Sequence, residues 1–185
     1  MPCYKELDIS DYEKSVSELL PKIINLFESS DTFYNIIDLE WFLDNCPAQL
    51  LNQINDIGGE IIRPIILKVS ADRLDRCDFN SVHVDGGIVD YRLNLPLLNS
   101  DSIETRFYRL KDSAVPDPRI VNQYGSVANF FKEEELELID QLVITRPVIF
   151  PVKIPHGLFV IKQQFPRYVL TIQFEDDIKL RTHLT

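Results

Sequence analysis

The chain has 185 residues, 45% hydrophobic and 26% charged, which is the composition of one folded domain rather than a disordered segment. Its 19 basic against 29 acidic side chains give a formal charge of −10, which argues against nucleic acid or an anionic membrane surface as the main partner. No apolar run approaches the roughly 20 residues that span a bilayer, and the start of the chain lacks the basic and apolar regions of a signal peptide. We therefore expect a cytoplasmic protein.

The cysteines are few and widely spaced, at Cys3, Cys46 and Cys77. An odd and scattered set fits neither a disulfide framework nor a zinc motif. The sequence therefore predicts three reduced thiols, in agreement with a cytosol-like compartment.

The N-terminal third of the chain predicts helices. Residues 11–56 carry apolar side chains at helical spacing, and Pro21 is predicted to begin a second helical piece. Asp38 is a predicted N-cap, and the glycine pair at 58–59 is predicted to end the last helix. We therefore predict that residues 1–59 form a helical lead that packs on a β core.

After residue 59 the pattern changes to short strands. Continuous β-branched runs and polar–apolar alternation predict about seven of them, with no helical pattern between them. This order favours an antiparallel barrel or jelly roll, a cupin-like fold, in residues 60–175 of a single domain. Residues 112–123 are predicted to form a long loop, which in a compact domain often serves as a lid. The predicted strands are residues 60–70, 80–85, 90–98, 104–110, 135–145, 147–154 and 167–175.

The histidines are scarce, and two of the three lie at the ends of predicted strands. His83 lies two positions before Asp85, so both side chains point to the same face of their strand. His156 follows the predicted strand 147–154 and precedes a glycine. His183, two residues from the C-terminus, is predicted to be a solvated tail residue.

The order His83-Val84-Asp85, then His156, then Arg167 eleven positions later resembles the signature of the iron- and 2-oxoglutarate-dependent oxygenases. That family carries a His-x-Asp/Glu motif, a distal His and an Arg shortly after it. Its fold is a double-stranded β-helix, a jelly-roll barrel preceded by helices, which agrees with the predicted order of elements. The resemblance covers roughly residues 60–175.

The resemblance implies a role for each of these residues. His83, Asp85 and His156 would bind Fe(II) as the catalytic centre, since two imidazoles and one carboxylate occupy one face of the ion and leave three positions open. Those positions would take 2-oxoglutarate and dioxygen. Arg167 would bind the far carboxylate of 2-oxoglutarate, because a planar guanidinium pairs bidentately with a carboxylate.

The sequence departs from the family at one position near this arginine. Family members often have Ser or Thr two residues after the Arg, whereas this chain has Val169. A second contact to the co-substrate would then come from Thr171, or from Arg92 and Asn94 on the predicted strand 90–98. Arg92 and Asn94 alternate with leucines, so they either line a polar site or face solvent.

The predicted function is that of an Fe(II)- and 2-oxoglutarate-dependent dioxygenase, a hydroxylase of a small molecule, an amino acid or a peptide. Two alternatives stay open: a cupin-type metalloenzyme that does not use 2-oxoglutarate, and a catalytically silent jelly-roll binding module. Considered singly, each residue also has a structural interpretation. His83 and His156 would then be core histidines, Asp85 the cap of the glycine turn that follows it, and Arg167 a surface residue.

Overall fold

The β-branched and alternating segments after residue 59 form strands, as their patterns predict. The structure, a computed structural model, describes residues 3–73, 81–87, 89–122 and 124–184. Cys77 and Asn80, the first residue of a predicted strand, lie outside the described residues. The helices are α1 (Tyr12–Phe27), α2 (Leu39–Asn45), α3 (Ala48–Gly58) and α4 (Ile178–Thr182). The strands are β1 (Lys5–Glu6), β2 (Tyr34–Ile36), β3 (Ile61–Val69), β4 (Val82–Asp85), β5 (Tyr91–Leu98), β6 (Ile103–Leu110), β7 (Asp117–Ile120), β8 (Val127–Phe131), β9 (Leu136–Val143), β10 (Val148–Pro151), β11 (His156–Val160) and β12 (Arg167–Phe174).

The strands form two antiparallel six-stranded sheets. The first sheet has the order β1-β10-β5-β12-β3-β2, and the second has the order β7-β8-β4-β11-β6-β9. Along the chain from β3 to β6, and again from β9 to β12, successive strands alternate between the two sheets. β7 and β8 lie next to each other at one edge of the second sheet. The described residues are therefore mainly β with helices packed outside, as predicted.

Alternation along the central strands of the first sheet separates an outer from an inner face. On β5, Leu93 and Leu95 are buried in a cluster with residues of the helices, whereas Arg92 and Asn94 point to the space between the sheets. β12 has the same arrangement, with its even-numbered residues against the helices. The space between the two sheets therefore receives the polar positions of both strands, and this settles the orientation that the sequence left open for Arg92 and Asn94. The helical residues fully buried in this cluster are Leu19, Ile23, Phe42, Leu50, Ile54 and Leu180.

The N-terminal lead differs from its prediction in two ways. It contributes β1 and β2, which pair with β10 and β3 and form the two edges of the first sheet. Pro21 lies inside α1 and does not begin a new helix. Burial of Leu19 and Ile23 on either side of it holds the helix together despite the missing N–H. The predicted N-cap is confirmed, since Asp38 Oδ1 accepts a hydrogen bond from the Trp41 N–H at 2.9 Å.

Two further segments differ from the predicted elements. The segment 112–123 is not wholly a loop, because β7 pairs with β8 in a hairpin at the edge of the second sheet. His156 is the first residue of β11, whereas the sequence pattern placed it at the end of a strand. Cys3 and Cys46 are buried free thiols, as predicted. None of the helices in the described ranges combines the length and the apolar character needed to cross a membrane.

Candidate metal centre

A cavity of about 630 Å³ lies between the two sheets. The inner face of β5 and β12 forms one wall, β4 and β11 form the opposite wall, and the turn between β7 and β8 lines part of its edge. Most of the lining is apolar or uncharged, so the few ionisable side chains stand out. These are Tyr34, Arg63, His83, Asp85, Arg92 and His156.

His83 and His156 lie side by side on one wall of this cavity. They are Cα partners in the antiparallel pairing of β4 with β11, and their ring centroids are 4.7 Å apart. The ring of Phe130 packs on His83 with a centroid distance of 5.3 Å, and the ring of Phe150 meets His156 edge-on at 5.7 Å. The two aromatic rings therefore restrict the orientations that the imidazoles can adopt.

Asp85 completes a group of three side chains that could hold a metal ion. Its Oδ1 lies 3.4 Å from Nε2 of His83, as expected for residues two positions apart on one strand. One potential ligand atom from each of His83, Asp85 and His156 lies within 4.8 Å of the other two. The structure thus brings together the three residues for which the sequence predicts a metal-binding role.

The tautomer of His156 suits a metal ligand. Its Nδ1 lies 2.8 Å from the carbonyl oxygen of Ile154, so Nδ1–H donates a hydrogen bond there and Nε2 keeps its lone pair. Burial lowers the pKa of His156 to about 4, and the neighbouring His83 adds to this effect. The imidazole is therefore neutral at pH 7, which is the form that binds a metal.

Asp85 is ionised under the same conditions. Burial on its own would raise the pKa of this carboxyl group, but the hydrogen bond from His83 and the positive charge of Arg92 outweigh burial and hold the pKa well below its usual range. Arg92 Nη2 lies 3.0 Å from Asp85 Oδ2, the oxygen that does not face His83. Arg92, predicted as a co-substrate contact, is thus an ion-pair partner of the metal-binding carboxylate.

The backbone turn that begins at Asp85 is held by a residue that sequence reasoning missed. Lys153 Nζ donates hydrogen bonds to the carbonyl oxygens of Asp85 and Gly87 at 2.9 and 2.7 Å. Gly86 lies between them, and a Cβ atom at that position would come within 2.1 Å of the Val127 carbonyl oxygen. The glycine pair in the sequence signalled a turn, whereas no local pattern indicated that Lys153 would bind it.

The remaining predicted co-substrate residues fall into two groups. Asn94 lines the cavity, accepts a hydrogen bond from the Thr171 hydroxyl at 2.8 Å, and keeps a buried Nδ2 without a partner in the described ranges. Arg167 lies on the same face of β12 as Thr171, but it is not among the residues that line the cavity. The structure therefore joins Asn94 and Thr171 to the metal-binding group and leaves Arg167 apart from it.

Arg167 nevertheless has an unusual environment. Its side chain is 1% exposed, and both Nε and Nη1 lack a hydrogen-bond partner within the described part of the chain. Burial lowers the pKa of Arg167 to about 10, so the guanidinium stays charged at pH 7. It is thus not the surface residue of the structural interpretation. His183, by contrast, is exposed just after α4, as predicted.

The donor set fits a divalent transition metal. Two imidazoles and one carboxylate are a donor set that also occurs in non-haem iron sites. A metal about 2.1 Å from each donor would bring adjacent donors to roughly 3 Å, near the separation of His83 Nε2 from Asp85 Oδ1. Comparison with known proteins finds no matching family model, no matching curated protein and no matching solved structure.

Proposed function

We propose that this protein is a non-haem Fe(II)- and 2-oxoglutarate-dependent dioxygenase that hydroxylates a small molecule, an amino acid or a peptide. The observation that carries the proposal is the convergence of His83, Asp85 and His156, whose ligand atoms lie within 4.8 Å of one another on the wall of a cavity. When bound, ferrous iron and 2-oxoglutarate would supply the oxidising power, with dioxygen as oxidant and succinate and carbon dioxide as by-products.

The topology supports this assignment. We propose that β3, β4, β5, β6, β9, β10, β11 and β12 form a double-stranded β-helix, the barrel that the resemblance implies. Four of these strands are contiguous in each sheet, and the chain changes sheet at every step between them except from β6 to β9. β4 and β11, which carry the three metal-binding residues, are neighbours within the second sheet.

The residues around the centre would each have a defined task. The Ile154 carbonyl holds the His156 ring so that Nε2 faces the metal, and Arg92 holds the second carboxylate oxygen of Asp85. The buried Nδ2 of Asn94 offers an N–H to an acceptor in the cavity. A metal that binds His83 and Asp85 replaces the hydrogen bond between them by coordination.

Arg167 remains the candidate for the far carboxylate of 2-oxoglutarate. A fully buried guanidinium with unpaired N–H groups is costly unless an anion or water satisfies it. It lies four residues before Thr171 on the same face of β12, about 13 Å along the strand. To bind the co-substrate, its long side chain would have to extend towards the part of the cavity that Thr171 lines.

A second candidate function is a cupin-type metalloenzyme that does not use 2-oxoglutarate. The observations that favour it are that Arg167 is not among the cavity-lining residues and that Val169 replaces the expected Ser or Thr. The two functions share the metal centre and differ in the co-substrate. A catalytically silent binding module would share the barrel and bind neither metal nor 2-oxoglutarate.

Anaerobic addition of Fe(II) and 2-oxoglutarate tests the proposal. We expect a weak visible charge-transfer band from the chelated keto acid in the wild-type protein, and succinate formation once air is admitted. His156→Ala should abolish both signals, whereas His183→Ala, at the exposed third histidine, should retain them. Absence of the band in the wild-type protein, or its persistence in His156→Ala, would contradict the proposal.

The variant Arg167→Ala separates the two candidate enzymes. If Arg167 binds the co-substrate, this variant should retain metal binding and lose the 2-oxoglutarate band. A wild-type protein that binds Fe(II) tightly and gives no band with 2-oxoglutarate would instead favour the cupin-type enzyme. A protein that binds neither Fe(II) nor 2-oxoglutarate would be the silent module.

A further inference from the structure

The lining of the cavity has a charge opposite to that of the whole chain. The protein carries a formal charge of −10. Apart from the two histidines, the charged side chains among the described lining residues are Arg63, Arg92 and Asp85. Two positive charges against one negative charge make the metal-free cavity cationic. An acidic protein with a cationic cavity is suited to small anionic ligands that enter this space.

The two arginines differ in whether a carboxylate compensates their positive charge. Arg92 is paired with Asp85 at 3.0 Å, so that its charge is already compensated. Arg63 forms no ion pair with any carboxylate in the described ranges. It is one of the exposed residues of β3, opposite Gln173 of β12, and both side chains line the cavity. The free positive charge therefore lies at the solvent-facing side of the cavity.

Tyr34 lines the same cavity as Arg63 and the candidate metal centre. Burial raises the pKa of Tyr34, and the charges of Arg92 and Arg63, together with a hydrogen bond from Arg63, act against that rise. Arg92 in turn contacts Asp85, the predicted metal ligand. Arg63, Tyr34, Arg92 and Asp85 therefore face one common space.

When the charges of a bound metal ion and a bound co-substrate are added to those of the lining, the positive charge of Arg63 is still not compensated. A divalent metal ion adds two positive charges and 2-oxoglutarate adds two negative ones, so the lining keeps one positive charge in excess without counting Arg167. We propose that Arg63 binds the carboxylate of a small acidic substrate and directs the rest of that molecule past Tyr34 towards the metal centre. This inference rests on the proposed function and names the substrate class for it.

The shape and size of the cavity favour a small carboxylic acid. A guanidinium presents two parallel N–H groups that match a planar carboxylate, and the amide of Gln173 lies beside it with further hydrogen-bonding capacity. A cavity of about 630 Å³ is within the usual range for small-molecule sites and holds a co-substrate and one small molecule together.

Ligand-observed NMR with straight-chain monocarboxylates from acetate to octanoate, and with the matching primary amides, tests this inference. The wild-type protein is used metal-free and loaded with Zn²⁺ and N-oxalylglycine, an unreactive analogue of 2-oxoglutarate. We expect the carboxylates to bind both forms, and the amides to bind about tenfold more weakly or not at all. Arg63→Gln should lower carboxylate affinity about tenfold or more, and Arg63→Lys should lower it less.

Arg109→Gln is the matched control, because Arg109 is an exposed arginine of β6 outside the cavity, and it should bind carboxylates like the wild-type protein. Equal carboxylate affinity in Arg63→Gln and the wild-type protein overturns the inference, as does the absence of carboxylate binding to the wild-type protein. A tenfold loss of N-oxalylglycine affinity in Arg63→Gln also overturns it, since Arg63 would then bind the co-substrate.

This experiment can contradict the proposed function and the role of Arg63 independently of each other. Thermal stabilisation of the wild-type protein by Zn²⁺ and N-oxalylglycine reports on the proposed function, and it does not require Arg63. Carboxylate binding to the metal-free protein that is lost in Arg63→Gln reports on Arg63, whereas binding that persists in this variant belongs to another cationic group such as Arg167. If stabilisation is absent while carboxylates bind through Arg63, the proposed function fails and the anion site stands.

Discussion

His83 and His156 are partners across one pair of antiparallel strands, although 73 positions separate them in the chain. Their ring centroids are 4.7 Å apart, so the pairing of β4 with β11 itself brings two metal-binding imidazoles together. Side chains alternate between the faces of a strand, and a shift of one residue in this register would turn one imidazole away from the cavity. The candidate metal centre and the second sheet are therefore built by the same backbone contacts.

The buried imidazole of His156 predicts a pH-dependent stability of the metal-free protein. Its pKa falls from 6.5 to about 4 on folding, so between these values the unfolded chain takes up a proton that the folded chain does not. The free energy of unfolding should therefore decrease as the pH falls from about 6.5 to about 4, by up to about 3 kcal/mol. Urea unfolding of chelator-treated wild-type protein and His156→Gln across this range measures the contribution, which the variant should lack. Parallel pH profiles for the two proteins would show that the prediction is wrong.

Removal of the Arg92 side chain should weaken metal binding. Arg92→Met leaves Asp85 Oδ2 without its ion-pair partner, so that the carboxylate is less firmly oriented towards the metal. We expect Mn²⁺ affinity, measured by electron paramagnetic resonance of the free ion, to fall about tenfold. Arg109→Met, a change to an exposed arginine, serves as the control and should bind Mn²⁺ normally. An unchanged affinity in Arg92→Met would mean that Asp85 is held by other contacts.

Lys153 should affect the same carboxylate through the backbone. Lys153→Met removes two hydrogen bonds to the carbonyl oxygens that flank Gly86, and we expect unfolding to become easier by about 1–3 kcal/mol. Zn²⁺ affinity, measured by calorimetry, should fall as well, because the turn that carries Asp85 loses its tether. The control is Lys162→Met, which removes an exposed ion pair with Asp101 and should leave Zn²⁺ affinity unchanged. Equal Zn²⁺ affinities for the two variants would count against a role of Lys153 at the site.

Gly86 should not tolerate a side chain. In Gly86→Ala the new Cβ would lie 2.1 Å from the Val127 carbonyl oxygen, a backbone atom that cannot move without disturbing β8. We expect a loss of about 1–3 kcal/mol in the free energy of unfolding, together with weaker metal binding, because Asp85 is the preceding residue. Chemical denaturation and a Zn²⁺ titration measure the two effects. Wild-type stability in this variant would mean that β4 and β8 are less closely packed than the structure indicates.

The accuracy of the predicted elements varies with the strength of their patterns. β3, β5 and β12 are long and rich in apolar or β-branched residues, and their predicted bounds agree with the structure to within one residue. β1, β2, β7, β8 and β11 were not predicted. They are short, and their strand conformation depends on a neighbouring strand rather than on their own residues. β11 in particular contains Gly157, which sequence patterns alone associate with a turn.

The amino-acid sequence by itself indicated the mainly β class and the alternation of leucines with Arg92 and Asn94 on β5, since these follow from residue types and short-range periodicity. The three candidate ligands came from the resemblance of their order in the chain to a family signature. The tertiary structure decided that Arg92 pairs with Asp85, that Lys153 holds the turn, that Arg63 lines the cavity without a carboxylate partner among the described residues, and that Arg167 is not among the lining residues. These relationships join strands far apart in the chain. They depend on sheet order and register, which local patterns do not encode.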